Sequence, residues 1–155
     1  MTKTNAMRRL DAAKIKYEVK EYEVDENDLS GTHIAEQIGL PFAQVFKTLV
    51  AKGEKSGTMV FCIPVDREID LKKAAVVTGN KKLEMLHVKD LLATTGYIRG
   101  GCSPIGMKKK FPTYIDESAK SFEEITVSAG VRGAQLLLNV DELVKFVEAK
   151  ICQII

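Results

Sequence analysis

Residues 45–65 read VFKTLVAKGEKSGTMVFCIPV. Two apolar runs, VFKTLVA (45–51) and TMVFCIPV (58–65), flank the polar hexapeptide KGEKSG with its two glycines. β-Branched and aromatic side chains suit a pleated surface, and glycine supplies the positive φ of a tight reversal. The stretch therefore predicts a β-hairpin. Strand alternation sets Lys47 beside Val45, Leu49 and Ala51, with Phe46, Thr48 and Val50 on the opposite face. Both faces are largely apolar. An ammonium there either snorkels to a strand end or meets an anionic partner, because burying it alone is costly.

Working outward, TNAMRRLDAAKI (4–15) spaces Met7, Leu10, Ala13 and Ile15 near helical periodicity, with Thr4 or Asn5 as cap. KYEVKEYEV alternates like a strand that shifts at Glu21-Tyr22. Ser30 and Thr32 open a helix through THIAEQI that Gly39 ends. After the hairpin, Asp70 caps LKKAAVVT, closed by Gly79, and a short run at 83–86 leads to a helix from Asp90 to Gly96. PTYIDE, ITVSA and QLLLNV read as strands, and Asp141 caps a last helix, ELVKFVEAK. Six or seven short strands interrupted by short helices do not form a regular βαβ alternation. The expected architecture is α+β (mixed α/β): one domain over 1–155, a curved mixed sheet approaching a barrel, with helices around it.

Composition narrows the class. The chain of 155 residues is 45% hydrophobic and 28% charged, ordinary for one globular domain with a core. No apolar stretch approaches the roughly 18–20 residues of a membrane span. MTKTNAMRRLDAAK has charge but no apolar run behind it, so no secretory signal is expected and the reading is cytoplasmic. Cys62, Cys102 and Cys152 show no pairing rhythm, which suits a reducing compartment. With two histidines and no CxxC or HxxxH spacing, neither a metal nor a cofactor is expected. The net charge of +2 excludes a globally basic nucleic-acid binder. Positive charge is local instead, at Lys72-Lys73, Lys81-Lys82 and Lys108-Lys109-Lys110.

Three stretches carry candidate chemistry. GYIRGGCSPIGMKKK (96–110) places four glycines beside a lysine triplet. A triphosphate-binding P-loop needs Lys directly after its last glycine and then Ser or Thr; here Met107 intervenes. The stretch reads either as a tight crossover or as a wall of bare amides approaching an anion or carbonyl oxygen. SAGVRG (128–133) repeats the theme with Arg132, as a plain hairpin turn or a second wall. Lys47 is the third. No GxSxG elbow occurs, neither histidine neighbours a nucleophile motif, and no base stands beside Cys102.

Together VFKTL (45–49), DLKKAA (70–75), TGYIRGGCSPIG (95–106) and VSAGVRG (127–133) resemble the YbaK/EbsC family, free-standing relatives of the editing domain inserted in bacterial prolyl-tRNA synthetases. The resemblance spans nearly the whole chain, in order. It implies a curved, nearly barrel-like sheet and an aminoacyl-tRNA deacylase acting in trans, typically removing cysteine, sometimes alanine, from tRNA(Pro). It implies that Lys47 is the essential pocket residue. Gly100, Gly101, Ser103, Pro104 and Gly106 form one wall for the aminoacyl ester and terminal adenosine, and Ser128, Gly130, Arg132 and Gly133 the other. Tyr22, Ser30, Tyr97 and Gln135 complete the substrate-binding set, and Lys72, Lys73, Lys108, Lys109 and Lys110 contact tRNA phosphates. In the cysteine branch the substrate's own thiol attacks its ester, so no protein nucleophile is needed. Phosphate contacts position RNA without reading sequence, which leaves tRNA choice to a partner such as prolyl-tRNA synthetase. Two positions depart from cysteine-editing relatives: Ser30 replaces an aromatic residue and Gln135 an acidic one. Hydrolysis of alanyl-tRNA, and a tRNA- or synthetase-binding module without turnover, are the alternatives.

Overall fold

The computed structural model describes residues 1–155. The predicted hairpin is its spine. β2 (Phe46–Gly53) pairs antiparallel with β3 (Gly57–Pro64) along its whole length. Gly57 takes φ +70° at the turn. Asn80 braces that turn from outside: its Oδ1 accepts from the amides of Lys55 and Ser56 at 2.9 and 3.1 Å.

Two sheets result. β4 (Leu83–Met85), β2, β3, β5 (Thr113–Asp116) and β8 (Lys150–Cys152) form one, in that order, with β5 and β8 added in parallel. The other runs β1 (Tyr17–Glu21), β7 (Ala134–Asn139), β6 (Glu124–Ser128), all antiparallel. A parallel bridge between Val45 and Thr126 joins the two. The mixed, curved, barrel-like α+β architecture expected from the sequence is the one observed, with eight strands rather than six or seven.

Five helices surround the sheets. α1 (Asn5–Ala12) is capped by Thr4, whose hydroxyl accepts from Met7 N and donates to Ala129 O at 2.7 Å, so the cap also ties the helix to the β6–β7 turn. α2 (Gly31–Ile38) starts at Ser30 and stops at left-handed Gly39, and α3 (Leu71–Thr78) runs between Asp70 and Gly79, as predicted. α4 (Val88–Thr95) begins earlier than expected: His87 occupies the cap position and Asp90 lies in the first turn. The cap of α5 (Val140–Val147) is Asn139, whose Oδ1 accepts from Glu142 N at 2.9 Å, not Asp141. α5 also ends sooner than the pattern ELVKFVEAK implied. Glu148 adopts φ 54° and reverses the chain, and the following residues form β8.

The main core lies between the β1-β7-β6 sheet and helices α1 and α5, with Met7, Leu10, Ile125, Val127, Leu136, Leu138 and Leu143 at its centre. The other face of β6 and β7 carries Thr126, Ser128 and Gln135, which alternation turns away from that core. This polar face meets the free stretch of β2 between the Val45 bridge and the start of β4 pairing at Ala51.

Candidate active site

At that junction is a cavity of about 510 Å³. Its walls are Val45 and residues 46–50 of β2, Gly31 and Ile34 of α2, Val88 and Leu91 of α4, the loop residues Arg99, Gly100 and Cys102, and Ser128 and Gln135 from the polar face. The volume is in the range of small-molecule sites. Lys47 is half-buried and lines it. Its ammonium joins none of the ion pairs and hydrogen bonds that other lysines make, such as Lys3–Asp11 or Lys120–Asp141. A cation held without a protein anion in a partly desolvated cavity is poised for a ligand's negative charge or carbonyl oxygen.

The polar floor is committed in one direction. Thr126, fully buried, donates its hydroxyl to Gln135 Oε1 at 3.0 Å. The Gln135 amide is thereby oriented with its oxygen on Thr126, and its NH₂ has no protein partner. Ser128 Oγ accepts from Gly130 N at 3.1 Å, which frees its hydrogen to donate. Lys47, Gln135 and Ser128 thus present donors to whatever occupies the space.

Cys102 also lines the cavity, and burial pushes its thiol up to about 12, only partly countered by the Thr95 hydroxyl. It is a neutral thiol at physiological pH and no nucleophile. Among the residues that could hold a metal, no grouping of three or more His, Cys, Asp or Glu occurs.

The expected residues distribute unevenly. Lys47, Ser30, Gly100, Ser128 and Gln135 line the cavity together. Tyr22 and Arg132 line an adjoining narrow cleft beside Gly100. Arg132 is a brace: its Nε donates to Arg99 O at 2.8 Å, stitching the two glycine-rich segments to each other. Gly133 O receives Tyr22 N at 2.9 Å, which extends the β1–β7 pairing by one bond. Gly101, Ser103, Pro104, Gly106, Tyr97 and Gly130 stand behind the wall. Ser103 is fully buried, and the Tyr97 hydroxyl donates to Ile105 O. A side chain at Gly101 would press on the Val131 backbone at 3.2 Å, and one at Gly130 on the Tyr97 ring at 3.0 Å. These glycines bring the two segments into contact more than they bare amides to the cavity.

The lysines do not share a rim. Lys108, Lys109 and Lys110 border a separate groove with Arg9, Phe111 and Phe146, lined also by Pro104 and Ile105. Lys110 is paired there with Glu148 at 2.5 Å. Lys73 donates to Ile155 O at 2.8 Å and borders another groove beside Asp116 and Glu117, and Lys72 is exposed on α3. The apolar lining from Leu29, Leu86, Val88 and Leu91, and the acidic Glu68, were not anticipated. They come from three separate stretches of chain, and no local pattern announces their convergence.

Residues 30–146 match the family described as the aminoacyl-tRNA editing domain. The chain belongs to this family. An Enterococcus faecalis protein named "Putative Cys-tRNA(Pro)/Cys-tRNA(Cys) deacylase EbsC" is 50% identical over 152 residues, covering 98% of this chain and 93% of that one. Proline--tRNA ligase of Thermosipho africanus is 30% identical over 76 residues, 49% of this chain but 13% of the ligase. A crystal structure described as "a putative trans-editing enzyme for prolyl tRNA synthetase" superposes with a TM-score of 0.81 at 24% identity, covering 99% of this chain and 98% of that one. No helix is long and apolar enough to cross a membrane.

Proposed function

We propose that this editing domain is an aminoacyl-tRNA deacylase acting in trans, and that its substrate is cysteine wrongly attached to tRNA(Pro). The reading rests above all on Lys47, an unpaired ammonium in a cavity where the floor groups Gln135 and Ser128 also offer donors. An aminoacyl ester offers that surface its carbonyl oxygen and ribose hydroxyls. As the ester is attacked, negative charge grows on the carbonyl oxygen, and preorganised donors stabilise it most where water is excluded.

With a cysteinyl ester the nucleophile arrives with the substrate. Its sulfur bonds to the carbonyl carbon, the bond to the ribose oxygen breaks, and the thiol proton passes to that oxygen. A cyclic thiolactone and free tRNA leave. Tethering removes most of the entropic barrier, so the protein needs only to orient the ester. The neutral Cys102 thiol supports a site that leaves nucleophilic attack to the substrate. The groove of Lys108, Lys109 and Arg9 borders the same glycine-rich segment and suits acceptor-stem phosphates. Lys72 and Lys73, on other surfaces, are at most peripheral to that path. Cytoplasmic location and a prolyl-tRNA synthetase partner that selects the tRNA belong to the same reading.

The test is release of amino acid from Cys-tRNA(Pro), Ala-tRNA(Pro) and Ser-charged tRNA. Cysteine should be freed well above the spontaneous rate, and a substrate whose sulfur is replaced by a methyl group should survive. Hydrolysis of that methyl analogue would replace cyclisation by water attack, and no release from any substrate would leave a binding module.

A further inference from the structure

An aminoacyl ester carries one full positive charge, its α-ammonium, and the floor just described offers that group nothing. Lys47 repels it, and the Gln135 amide faces outward with hydrogens because its oxygen is held by Thr126. Of the residues lining the cavity, one is a carboxylate: Glu68. The other acids nearby are turned elsewhere. Glu23, Asp25 and Asp28 line the adjoining cleft instead, and Asp28 accepts from Ser30 N and Oγ at 3.1 and 2.6 Å and faces His33 at 3.8 Å. Glu68 takes part in no ion pair or side-chain hydrogen bond. Its segment is nonetheless fixed on both sides, by Arg67 N donating to Pro64 O at 3.1 Å and Asp70 N donating to Ile154 O at 2.8 Å.

We propose that Glu68 is the residue that recognises the substrate's α-ammonium, and so makes the site selective for free aminoacyl esters over N-blocked ones such as peptidyl or formylated esters. The inference rests on the aminoacyl-ester reading of the cavity. It assigns different groups of the lining to the two parts of the ester: Lys47 and the donor floor to the carbonyl, the exposed Glu68 to the amine. A charge-assisted hydrogen bond of this kind is stronger than a neutral one, but solvent screens it at an exposed rim position, which sets its worth at about two- to fivefold in affinity.

The experiment uses two unreactive probes, adenosine carrying alanine on its 3′ position through an amide, and the N-acetylated form of the same molecule. Wild-type protein should bind the free-amine probe about two- to fivefold more tightly than the acetylated one. That preference should fade as pH rises past the amine's pKa, near 8. Glu68→Gln should bind both probes equally, with the acetylated probe's affinity and the urea midpoint unchanged, because Glu68 makes no bond within the fold. A Glu68→Gln protein that still prefers the free amine, or a wild type indifferent to acetylation, overturns the assignment while leaving the cavity's role standing. Failure of wild type to bind either probe overturns the aminoacyl-ester reading, and this assignment with it.

Discussion

Lys47 interrupts a strand whose neighbours, Phe46, Val50 and Ala51, are buried, and it has no counter-ion. Such a residue is unfavourable for folding, which supports the role toward a ligand proposed for it. Replacing it with methionine keeps the stem and removes the charge. Lys47→Met should lower deacylation about 10²–10³-fold, the typical effect of deleting one oxyanion-stabilising donor, while the urea midpoint stays level or rises. Rates on charged tRNA and an unfolding curve check both halves; undiminished turnover by folded Lys47→Met would remove the lysine from the chemistry. The unusual setting of Lys47 was legible because alternation placed a cation among apolar neighbours. Gln135 entered only through the family resemblance, and Glu68 not at all, since a glutamine that faces a buried threonine and a glutamate that faces a cavity look alike in sequence to exposed ones.

At the scale of elements, sequence spoke clearly wherever the signal was local. Ser30 with Gly39 and Asp70 with Gly79 bracket their helices because caps and left-handed stops act within one turn of chain. It spoke ambiguously where two capping side chains stand close together. β7 runs directly into α5, so Asn139 and Asp141 both look able to cap, and only the direction of the incoming strand selects Asn139. β8 was hidden for another reason. Its three residues become a strand by lying beside β5, and the reversal that puts them there falls on Glu148 rather than on a glycine. The cap is testable. Asn139→Ala should destabilise the protein by about 1 kcal/mol through the lost bond to Glu142 N. Asp141→Ala, which removes an exposed pair with Lys120 and a first-turn charge, should cost about half of that or less. Urea titrations of the two variants decide; the reverse order would return the cap to Asp141.

For the whole molecule, the glycine-rich segments were read as walls around a ligand, and their larger work is to let distant parts of the chain touch: Gly101 against Val131, Gly130 against Tyr97. Contacts across such separations cannot be seen in a linear pattern. Close packing of this kind also buries ionisable groups, and it does so with a consistent sign. Burial raises the thiol of Cys62, fully enclosed between the hairpin and the main core, to about 12, with the Thr48 hydroxyl opposing slightly. It raises Cys102 to about 12, and shifts Tyr97, Tyr114 and Cys152 upward as well. An unfolded thiol ionises near 9, so above that pH the unfolded chain sheds protons that the native state keeps. Stability contributed by the neutral thiols is complete below about pH 9 and drains away toward pH 12, at about 1.4 kcal/mol per pH unit for each fully buried group. Urea unfolding at intervals from pH 8 to pH 10.5 should therefore show a steep alkaline decline. Cys62→Ala shifts the whole curve through lost packing, so its slope rather than its height is the readout, and that slope should be shallower above pH 9. Parallel curves for the two proteins would mean that Cys62 ionises alike in the folded and unfolded chain, and that the junction of hairpin and core admits water that the packing of Phe46, Cys62 and Ile115 excludes.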